Sequence, residues 1–261
     1  MGLLEGKVAV VTGASTGIGR AIMSTFCREG ARVVAASRTA SRLEEAAEKV
    51  RADGGTVHTV AADLSEDDEV GRVIDAAVAE FGALDVLVNN AGVGYAYRAV
   101  RPGSMLPLDE SSLDDWNHVM GINLGSVVYA CRRAIPIMKE QGGGSIVNVA
   151  SVLGLRGHPD AHAYTTAKGA IVNLTRSLAT TYARFGIRTN TICPGYIDTP
   201  MVAEYVPFLN SEEQRFVWNP MGRTGEPREI ADGALYLGSS MGSYCNGAEL
   251  VIDGGMIAKS G

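Results

Sequence analysis

The sequence predicts a single α/β domain in which a doubly wound, seven-stranded parallel sheet is flanked by helices. Short valine-rich runs without strict alternation are typical of buried parallel strands, and they alternate along the whole chain with helical patterns. This alternation favours right-handed crossovers. The 261 residues include 46% apolar and 20% charged types, with no linker or internal repeat. One domain is therefore predicted to span residues 1–261.

Seven strands and six helices are predicted in chain order. The strands are residues 7–11, 32–36, 56–61, 86–89, 145–150, 188–193 and 249–252. The helices are residues 17–29, 40–53, 66–81, 112–141, 164–185 and 227–237. Ser65 and Asp68, three residues apart, resemble a capping box at the start of the third helix. Gly30, Gly82 and Gly186 stand where helices are expected to end.

Two connections are longer than simple turns. Residues 93–112 contain glycine, proline and two tyrosines, and residues 199–226 are punctuated by proline and carry a cluster of apolar side chains between Met201 and Trp218. Long connections in compact domains often bind ligands or close over them. Segment 199–226 is interpreted as a substrate lid, with packing on the core as the alternative.

The overall composition argues against several classes of protein. The formal net charge of −6 disfavours a dedicated nucleic-acid binder, and no run of 18 apolar residues predicts a membrane span. The N-terminus lacks the basic and apolar regions of a secretory signal. The four cysteines are far apart without a C-x-x-C pair, which predicts free thiols in a reducing cytoplasm and no metal site.

A glycine-rich turn follows the first strand and opens the first helix, as a dinucleotide-binding motif requires. It reads TGASTGIG over residues 12–19, with glycines spaced G-x-x-x-G-x-G, one residue longer than the common pattern. Gly13 permits the tight turn, Gly17 admits a pyrophosphate close to the backbone, and Gly19 lets the helix approach the sheet. The helix N-terminus offers free N–H groups to phosphate. The expected fold is thus of the Rossmann type, with a purely structural turn as the alternative.

The end of the second strand predicts which dinucleotide is preferred. A carboxylate there would bind the adenosine ribose hydroxyls and repel a 2′-phosphate. The strand instead ends in the small, uncharged Ser37, followed by Arg38, whose planar guanidinium can bind a phosphate. NADP(H) is therefore the predicted cofactor.

A serine, a tyrosine and a lysine form a second constellation. Ser151 follows the fifth strand, and Tyr164 and Lys168 are four residues apart, so they lie on the same face of a helix. An ammonium beside a phenol favours the phenolate and is expected to lower a tyrosine pKa that starts near 10. Such a tyrosine can exchange a proton with an alcohol or a carbonyl.

Together these motifs resemble the short-chain dehydrogenase/reductase family over almost the whole chain, from residue 7 to about residue 255. The interval of thirteen residues between Ser151 and Tyr164 also matches the family. The matching residues are Thr12, Gly13, Gly17, Ile18, Gly19, Asp63, Asn89, Asn90, Ala91, Gly92, Asn123, Ser151, Tyr164, Lys168, Pro194 and Gly195.

This resemblance implies a catalytic tetrad. Tyr164 would be the general acid in reduction and the general base in oxidation, and Ser151 would hold the reacting oxygen beside it. Lys168 would bind the nicotinamide ribose and lower the pKa of Tyr164. Asn123 would hold a water that links Lys168 to solvent.

The resemblance also implies a set of cofactor contacts. Asp63 and Leu64 would meet the adenine, and the backbone of residues 90–92 the adenosine ribose. Residues 194–197 would line the nicotinamide, with Thr199 at a phosphate. The predicted cofactor-binding residues are Gly13, Ser15, Thr16, Gly17, Ile18, Gly19, Ser37, Arg38, Asp63, Leu64, Asn90, Ala91, Gly92, Tyr164, Lys168, Pro194, Gly195, Ile197 and Thr199.

The predicted activity is the NADP(H)-dependent interconversion of a secondary alcohol and a ketone on a medium or large apolar substrate. The chain departs from the family pattern at one position. Many NADP-preferring members carry a basic residue where this chain has Thr16. Phosphate recognition would then depend on Arg38, and NAD(H) stays an alternative.

Two other functions remain open for this sequence. A 3-oxoacyl thioester reductase that acts on an acyl carrier protein would need a basic patch at the active-site mouth. The arginines available for such a patch are Arg98, Arg101, Arg132, Arg133 and Arg156, without an obvious cluster. A non-catalytic nucleotide-binding regulator would be expected to lack part of the tetrad. Resemblance implies a homotetramer paired through helices 112–141 and 164–185, and the only other predicted partner is a small-molecule substrate.

Overall fold

The computed structural model describes residues 2–259, so Met1, Ser260 and Gly261 of the predicted domain lie outside the described residues. Its seven strands run parallel in one sheet, in the order β3-β2-β1-β4-β5-β6-β7. The strands are β1 (Val8–Thr12), β2 (Arg32–Ser37), β3 (Thr56–Ala61), β4 (Val86–Asn89), β5 (Gly144–Val149), β6 (Ile187–Pro194) and β7 (Glu249–Ile252). The predicted fold class and all seven predicted strands are confirmed.

Helices cover both faces of this sheet, because the valine-rich strands need apolar partners on either side. In the described residues they are α1 (Gly17–Arg28), α2 (Ala40–Ala52), α3 (Asp67–Phe81), α4 (Leu113–Met120), α5 (Ser126–Glu140), α6 (His162–Tyr182), α7 (Val206–Leu209), α8 (Arg215–Trp218) and α9 (Pro227–Gly238). Helices α1, α2 and α9 build one apolar core, and α3, α5 and α6 build the other. None of the helices described is long and apolar enough to cross a membrane.

The helix predicted over residues 112–141 is confirmed as a helical segment, but a π-helical turn divides it into two α-helices. α4 ends at Met120, Gly121–Gly125 form a π-helical turn, and α5 follows. The side chain of Asn123 donates from Nδ2 to the Val119 carbonyl at 3.1 Å. This backbone carbonyl thus accepts a hydrogen bond from a side chain of the widened turn. Asn123 is thereby fully buried. Such turns occur often at functional sites.

The helix ends follow the predicted glycines but not the predicted capping box. Gly30, Gly82 and Gly186 adopt φ values of 88°, 81° and 75°, as left-handed helix ends require. Ser65 does not cap α3, which begins two residues later, at Asp67. Its N–H and hydroxyl instead both donate to Asp63 Oδ1, at 3.0 and 2.7 Å.

Candidate active site

Two adjoining cavities open along the carboxyl ends of the strands, where β1 pairs with β2 on one side and β4 on the other. Ligands of open α/β sheets bind at such a switch point. The nucleotide crevice, of about 1120 Å³, lies over β1, β2 and the start of α1. The substrate cavity, of about 790 Å³, lies beside β5 and α6. Both open to solvent and share the walls Ile18, Asn90, Gly92, Thr199 and Met201.

The predicted site residues divide between these cavities, apart from Gly19, which is buried beneath the turn. Those lining the nucleotide crevice are Gly13, Ser15, Thr16, Gly17, Ile18, Ser37, Arg38, Asp63, Leu64, Asn90, Ala91, Gly92 and Thr199. Those lining the substrate cavity are Ile18, Asn90, Gly92, Asn123, Ser151, Tyr164, Lys168, Pro194, Gly195, Ile197 and Thr199.

The glycine turn leaves room for a bound group above the backbone. Gly13 and Gly17 have φ values of 68° and 52°, which side-chain-bearing residues rarely adopt. A Cβ at Gly17 would lie 3.0 Å from the Thr199 methyl group, and one at Gly19 would lie 2.2 Å from the Gly13 carbonyl oxygen. No side chain caps the first turn of α1. Its N–H groups and partial positive charge are therefore available to a phosphate.

Thr12 and Asn90 hold this turn against the end of β4. The N–H groups of Asn90 and Ala91 donate to Thr12 Oγ1 at 2.9 and 3.1 Å. The Asn90 amide donates back to the Thr12 carbonyl at 3.0 Å. These bonds satisfy polar groups at the floor of the crevice and fix the two strand ends relative to each other.

The adenosine end of the crevice contains an unpaired buried hydroxyl. Ser37 is 6% exposed, and its Oγ has no hydrogen-bond partner among residues 2–259. Arg38 is exposed beside it on the same wall. Across the crevice, hydrogen bonds from Ser65 lower the pKa of Asp63, so its carboxylate is charged. These groups fit a nicotinamide dinucleotide, whose phosphates would be held at the N-terminus of α1 and a ribose oxygen at Ser37.

Close packing of two backbones brings Ser151 towards Tyr164. Ser151 follows β5 and accepts from the Leu153 N–H at 3.1 Å, which caps a 3₁₀ turn. A Cβ at Gly154 would lie 2.7 Å from the backbone of Lys168, so only glycine lets this turn approach α6. Ser151, Tyr164 and Lys168 thus face one cavity, as their spacing predicted.

Burial dominates the electrostatics of Tyr164 and Lys168. It raises the pKa of the Tyr164 phenol, with a smaller lowering from the Ser151 hydroxyl and a rise from Tyr196. It also lowers the pKa of Lys168 to about 8. The predicted lowering of the tyrosine pKa by Lys168 is wrong for this structure. The ammonium lies 5.7 Å from the phenol ring centroid and donates to the Val149 carbonyl at 2.9 Å.

The side chains of Asn123 and Lys168 both lie close to Gly92. A Cβ at Gly92 would lie 2.6 Å from Asn123 Oδ1 and 3.6 Å from Lys168 Nζ. Asn123 Oδ1 accepts from the Val93 N–H at 3.2 Å. The π-helical turn therefore directs an amide towards the lysine, and the absence of a side chain at Gly92 keeps the space between them open.

The substrate cavity also has walls that were not among the predicted site residues. Apart from the tyrosine hydroxyls their side chains are apolar. They are Tyr95, Val152, Leu153, Tyr196, Met201, Val202 and Met256. The tyrosines in the 93–112 connection were the one available signal for Tyr95. Met256 follows the last strand and carried no motif.

Segment 199–226 lies beside this cavity and contains α7 and α8. Trp218 packs edge-to-face against Tyr196 and Phe208, with ring centroids 6.2 and 6.5 Å apart. Phe208, Phe216 and Val217 are each more than half exposed. The segment is thus joined to the cavity wall by aromatic contacts and leaves apolar side chains at the surface.

The chain belongs to the short-chain dehydrogenase/reductase family. The family model described as enoyl-(acyl carrier protein) reductase matches residues 13–257. A crystal structure of a short-chain type dehydrogenase/reductase from Mycobacterium marinum superposes with a TM-score of 0.88 at 32% identity, covering 98% of this chain and 97% of that one. Membership makes the protein an NAD(P)(H)-dependent oxidoreductase of the alcohol/ketone type.

Named relatives cover nearly the whole chain. The 2-(R)-hydroxypropyl-CoM dehydrogenase of Xanthobacter autotrophicus is 39% identical, over 97% of this chain and 99% of its own. The cis-4-hydroxycyclohexanecarboxylate dehydrogenase of Sinomonas cyclohexanicum is also 39% identical, over 97% of each chain. The 3-oxoacyl-[acyl-carrier-protein] reductase of Thermotoga maritima is 35% identical, over 97% of this chain and 99% of its own.

Proposed function

We propose that this protein interconverts a secondary alcohol and a ketone with NADP(H), on a medium or large apolar substrate. Residues 1–261 form one domain, and segment 199–226 is the lid of its substrate cavity. The observation that carries the proposal is the position of Ser151 and Tyr164. Both line the apolar cavity that adjoins the nucleotide crevice.

The residues of this chain act on the oxygen and its proton. A bound nicotinamide nucleotide supplies or accepts the hydride. Ser151 donates to the reacting oxygen and holds it beside Tyr164. Because burial raises its pKa, Tyr164 is protonated at neutral pH and acts as the general acid in reduction. In oxidation the deprotonated phenolate of Tyr164 takes the proton from the alcohol, so that direction requires higher pH.

Lys168 and Asn123 support this proton transfer. Lys168 binds the nicotinamide ribose, and its pKa of about 8 lets it exchange protons near neutrality. Asn123 holds a water over Gly92 through which the proton is replaced. Both side chains are buried.

The preference for NADP(H) rests on the charge at the adenosine end. Ser37 places no carboxylate on the ribose side, and Arg38 stands at the mouth of the crevice without an ion-pair partner among residues 2–259. A guanidinium there attracts a 2′-phosphate. The remaining predicted contacts run from Asp63 and Leu64 at the adenine to Pro194, Gly195 and Ile197 at the nicotinamide.

The arginines disfavour an acyl-carrier-protein reductase, although such a reductase is among the relatives. Four of the five candidate arginines for a basic patch are paired with carboxylates. Arg98 pairs with Asp160, Arg101 with Asp114 and Asp115, Arg132 with Asp67 and Arg133 with Asp75. A non-catalytic regulator is disfavoured because the tetrad is complete and faces one cavity.

Assembly and location are also proposed from the chemistry of the surface and the thiols. Leu113 on α4 and Val128 on α5 are 80% and 40% exposed, which fits burial in a homotetramer through these helices. All four cysteines are free thiols, which fits a reducing cytoplasm. Sedimentation at micromolar concentration tests the first point, with a monomer as the contrary result.

A substrate panel tests the proposed activity. Purified protein is offered NADPH or NADH with cyclic ketones, and in parallel with a 3-oxoacyl thioester on its carrier protein, while nucleotide absorbance is followed. We expect turnover of the cyclic ketones with NADPH. Faster turnover of the carrier-bound thioester would favour the reductase of acyl carriers, and nucleotide binding without any turnover would favour the regulator.

A further inference from the structure

A cluster of polar side chains lies at the outer wall of the substrate cavity, away from the tetrad. The Tyr95 hydroxyl donates to Asp160 Oδ1 at 2.6 Å and lies 3.1 Å from His158 Nδ1. Arg98 donates to Asp160 Oδ2 at 3.1 Å. Asp160 thus receives hydrogen bonds from two residues of the 93–112 connection.

The ring of Tyr95 is part of the cavity wall. The Arg98 guanidinium lies over it, 5.0 Å from the centroid. On another side it packs edge-to-face against Tyr205 of segment 199–226, at 5.9 Å. The ring therefore stands between the cavity, the connection and the lid, and its hydroxyl determines where it can lie.

Asp160 is also next to the start of the catalytic helix. Ala161 follows it with a φ of 54°, a left-handed conformation that alanine rarely adopts. The Ala161 N–H donates to the Met105 carbonyl at 3.2 Å, and Arg98 donates to the same carbonyl at 3.0 Å. One turn later Tyr164 projects from α6. The strained residue is held by the same loop that Asp160 binds.

We propose that Asp160 is a positioning residue that fixes the wall of the substrate cavity to the catalytic helix, and that Tyr95 is the wall's specificity-determining residue. The ring limits how large a substrate can lie between Ser151 and the lid. The Asp160 carboxylate fixes the position of that ring relative to the first turn of α6. These roles of Asp160 and Tyr95 rest on the proposed function, because the substrates used to test them are alcohols.

Hydrogen exchange tests the positioning role without any substrate. In Asp160→Asn we expect amides of residues 95–105 and 161–165 to exchange about tenfold faster, and to change together, because a charged hydrogen-bond acceptor is lost. Asp114→Asn, which removes an exposed carboxylate paired with Arg101, is the matched control. Unchanged exchange at residues 161–165 in Asp160→Asn would overturn the positioning role.

A series of cyclic secondary alcohols of increasing ring size tests the specificity role. Tyr95→Ala is expected to raise the ratio of kcat/KM for large over small rings about tenfold, because extra methylenes then find room. Tyr95→Phe keeps the ring but loses its hydrogen bond to Asp160, so the ratio should rise less than in Tyr95→Ala. Asp160→Asn should raise the KM for the alcohol and leave the KM for the nucleotide unchanged. Melting temperatures establish that each variant is folded.

Tyr97→Phe is the matched control, since Tyr97 belongs to the same 3₁₀ turn but its hydroxyl lies 2.9 Å from His118. An unchanged size ratio in folded Tyr95→Ala, or an equal change in Tyr97→Phe, would overturn the specificity role. If the unmodified protein turned over no alcohol of the series, the proposed function would fail. The exchange measurement would then decide the inference by itself.

Discussion

The nucleotide crevice is built from backbone and small residues, whereas the substrate cavity beside it is built from large side chains. The crevice depends on strand ends, a glycine turn and the N-terminus of α1. The cavity depends on tyrosines, methionines and the two long connections. The first arrangement suits a ligand that does not vary, and the second can change its ligand by replacing side chains. Because different residues build the two sites, substitutions in one site can change substrate recognition without changing cofactor recognition.

The first test of whether substrate and cofactor recognition are separate removes the Ser151 hydroxyl, which lines the substrate cavity and is expected to bind the reacting oxygen. Ser151→Ala deletes a donor to the reacting oxygen. We expect kcat to fall about 100- to 1000-fold, as for the loss of one oxyanion donor, while the Kd for NADPH changes less than about twofold. Stopped-flow turnover and fluorescence titration measure the two quantities. A parallel loss of nucleotide affinity would contradict the separation.

The second test concerns the backbone character of the crevice. Gly19→Ala would place a Cβ 2.2 Å from the Gly13 carbonyl oxygen and 2.5 Å from the Asn90 amide. We expect the free energy of unfolding in denaturant to fall by about 3 kcal/mol.

Gly71→Ala is the control for this substitution. Gly71 lies within α3, and a Cβ there meets nothing within 4 Å. This variant should gain about 0.5–1 kcal/mol, because alanine is the better helix former. Equal effects of the two substitutions would show that the crevice does not require close packing.

A third measurement asks whether the crevice distinguishes the two dinucleotides. In Arg38→Ala we expect the Kd for NADPH to rise by a factor corresponding to about 1.5–3 kcal/mol, the typical value of a charged hydrogen bond. The Kd for NADH should not change. Arg132→Ala, at an exposed position outside the crevice, is the control. An equal loss for both nucleotides, or none, would leave Arg38 without the proposed role.

The smallest expected effect is on stability and follows from the buried ammonium of Lys168. Its pKa is about 8 in the folded protein, against a usual value of 10.5. The unfolded chain therefore binds this proton more tightly. The charge destabilises the fold below about pH 8, and stability rises as the pH increases from about 8 to 10.5.

Lys168→Met removes that charge. At pH 7 we expect the free energy of unfolding to rise by about 2 kcal/mol, with loss of turnover and of the rise above pH 8. Lys49→Met, at an exposed position, should change stability by less than about 0.5 kcal/mol. A less stable Lys168→Met protein at pH 7 would contradict the assignment of the pKa to burial.

The two regions also differ in how far the sequence predicted them. The turn at Gly13 and Gly17 and the spacing of Tyr164 from Lys168 follow from local geometry, so their positions were predictable. Tyr95, Asp160 and Met256 are brought together by folding of distant segments, which no local period encodes. The pKa of Tyr164 could not be predicted either, because it depends on how completely the phenol is buried.

Tyr164 is proposed to transfer the proton in the cavity beside the nucleotide crevice, and its hydroxyl is expected to add little to the affinity for the nucleotide. The most direct measurement compares kcat and the Kd for NADPH in Tyr164→Phe, a change that deletes only the hydroxyl. We expect kcat to fall by about 100- to 10,000-fold and the Kd for NADPH to stay within about twofold. Turnover retained at the level of the unmodified protein would contradict the proposed proton transfer.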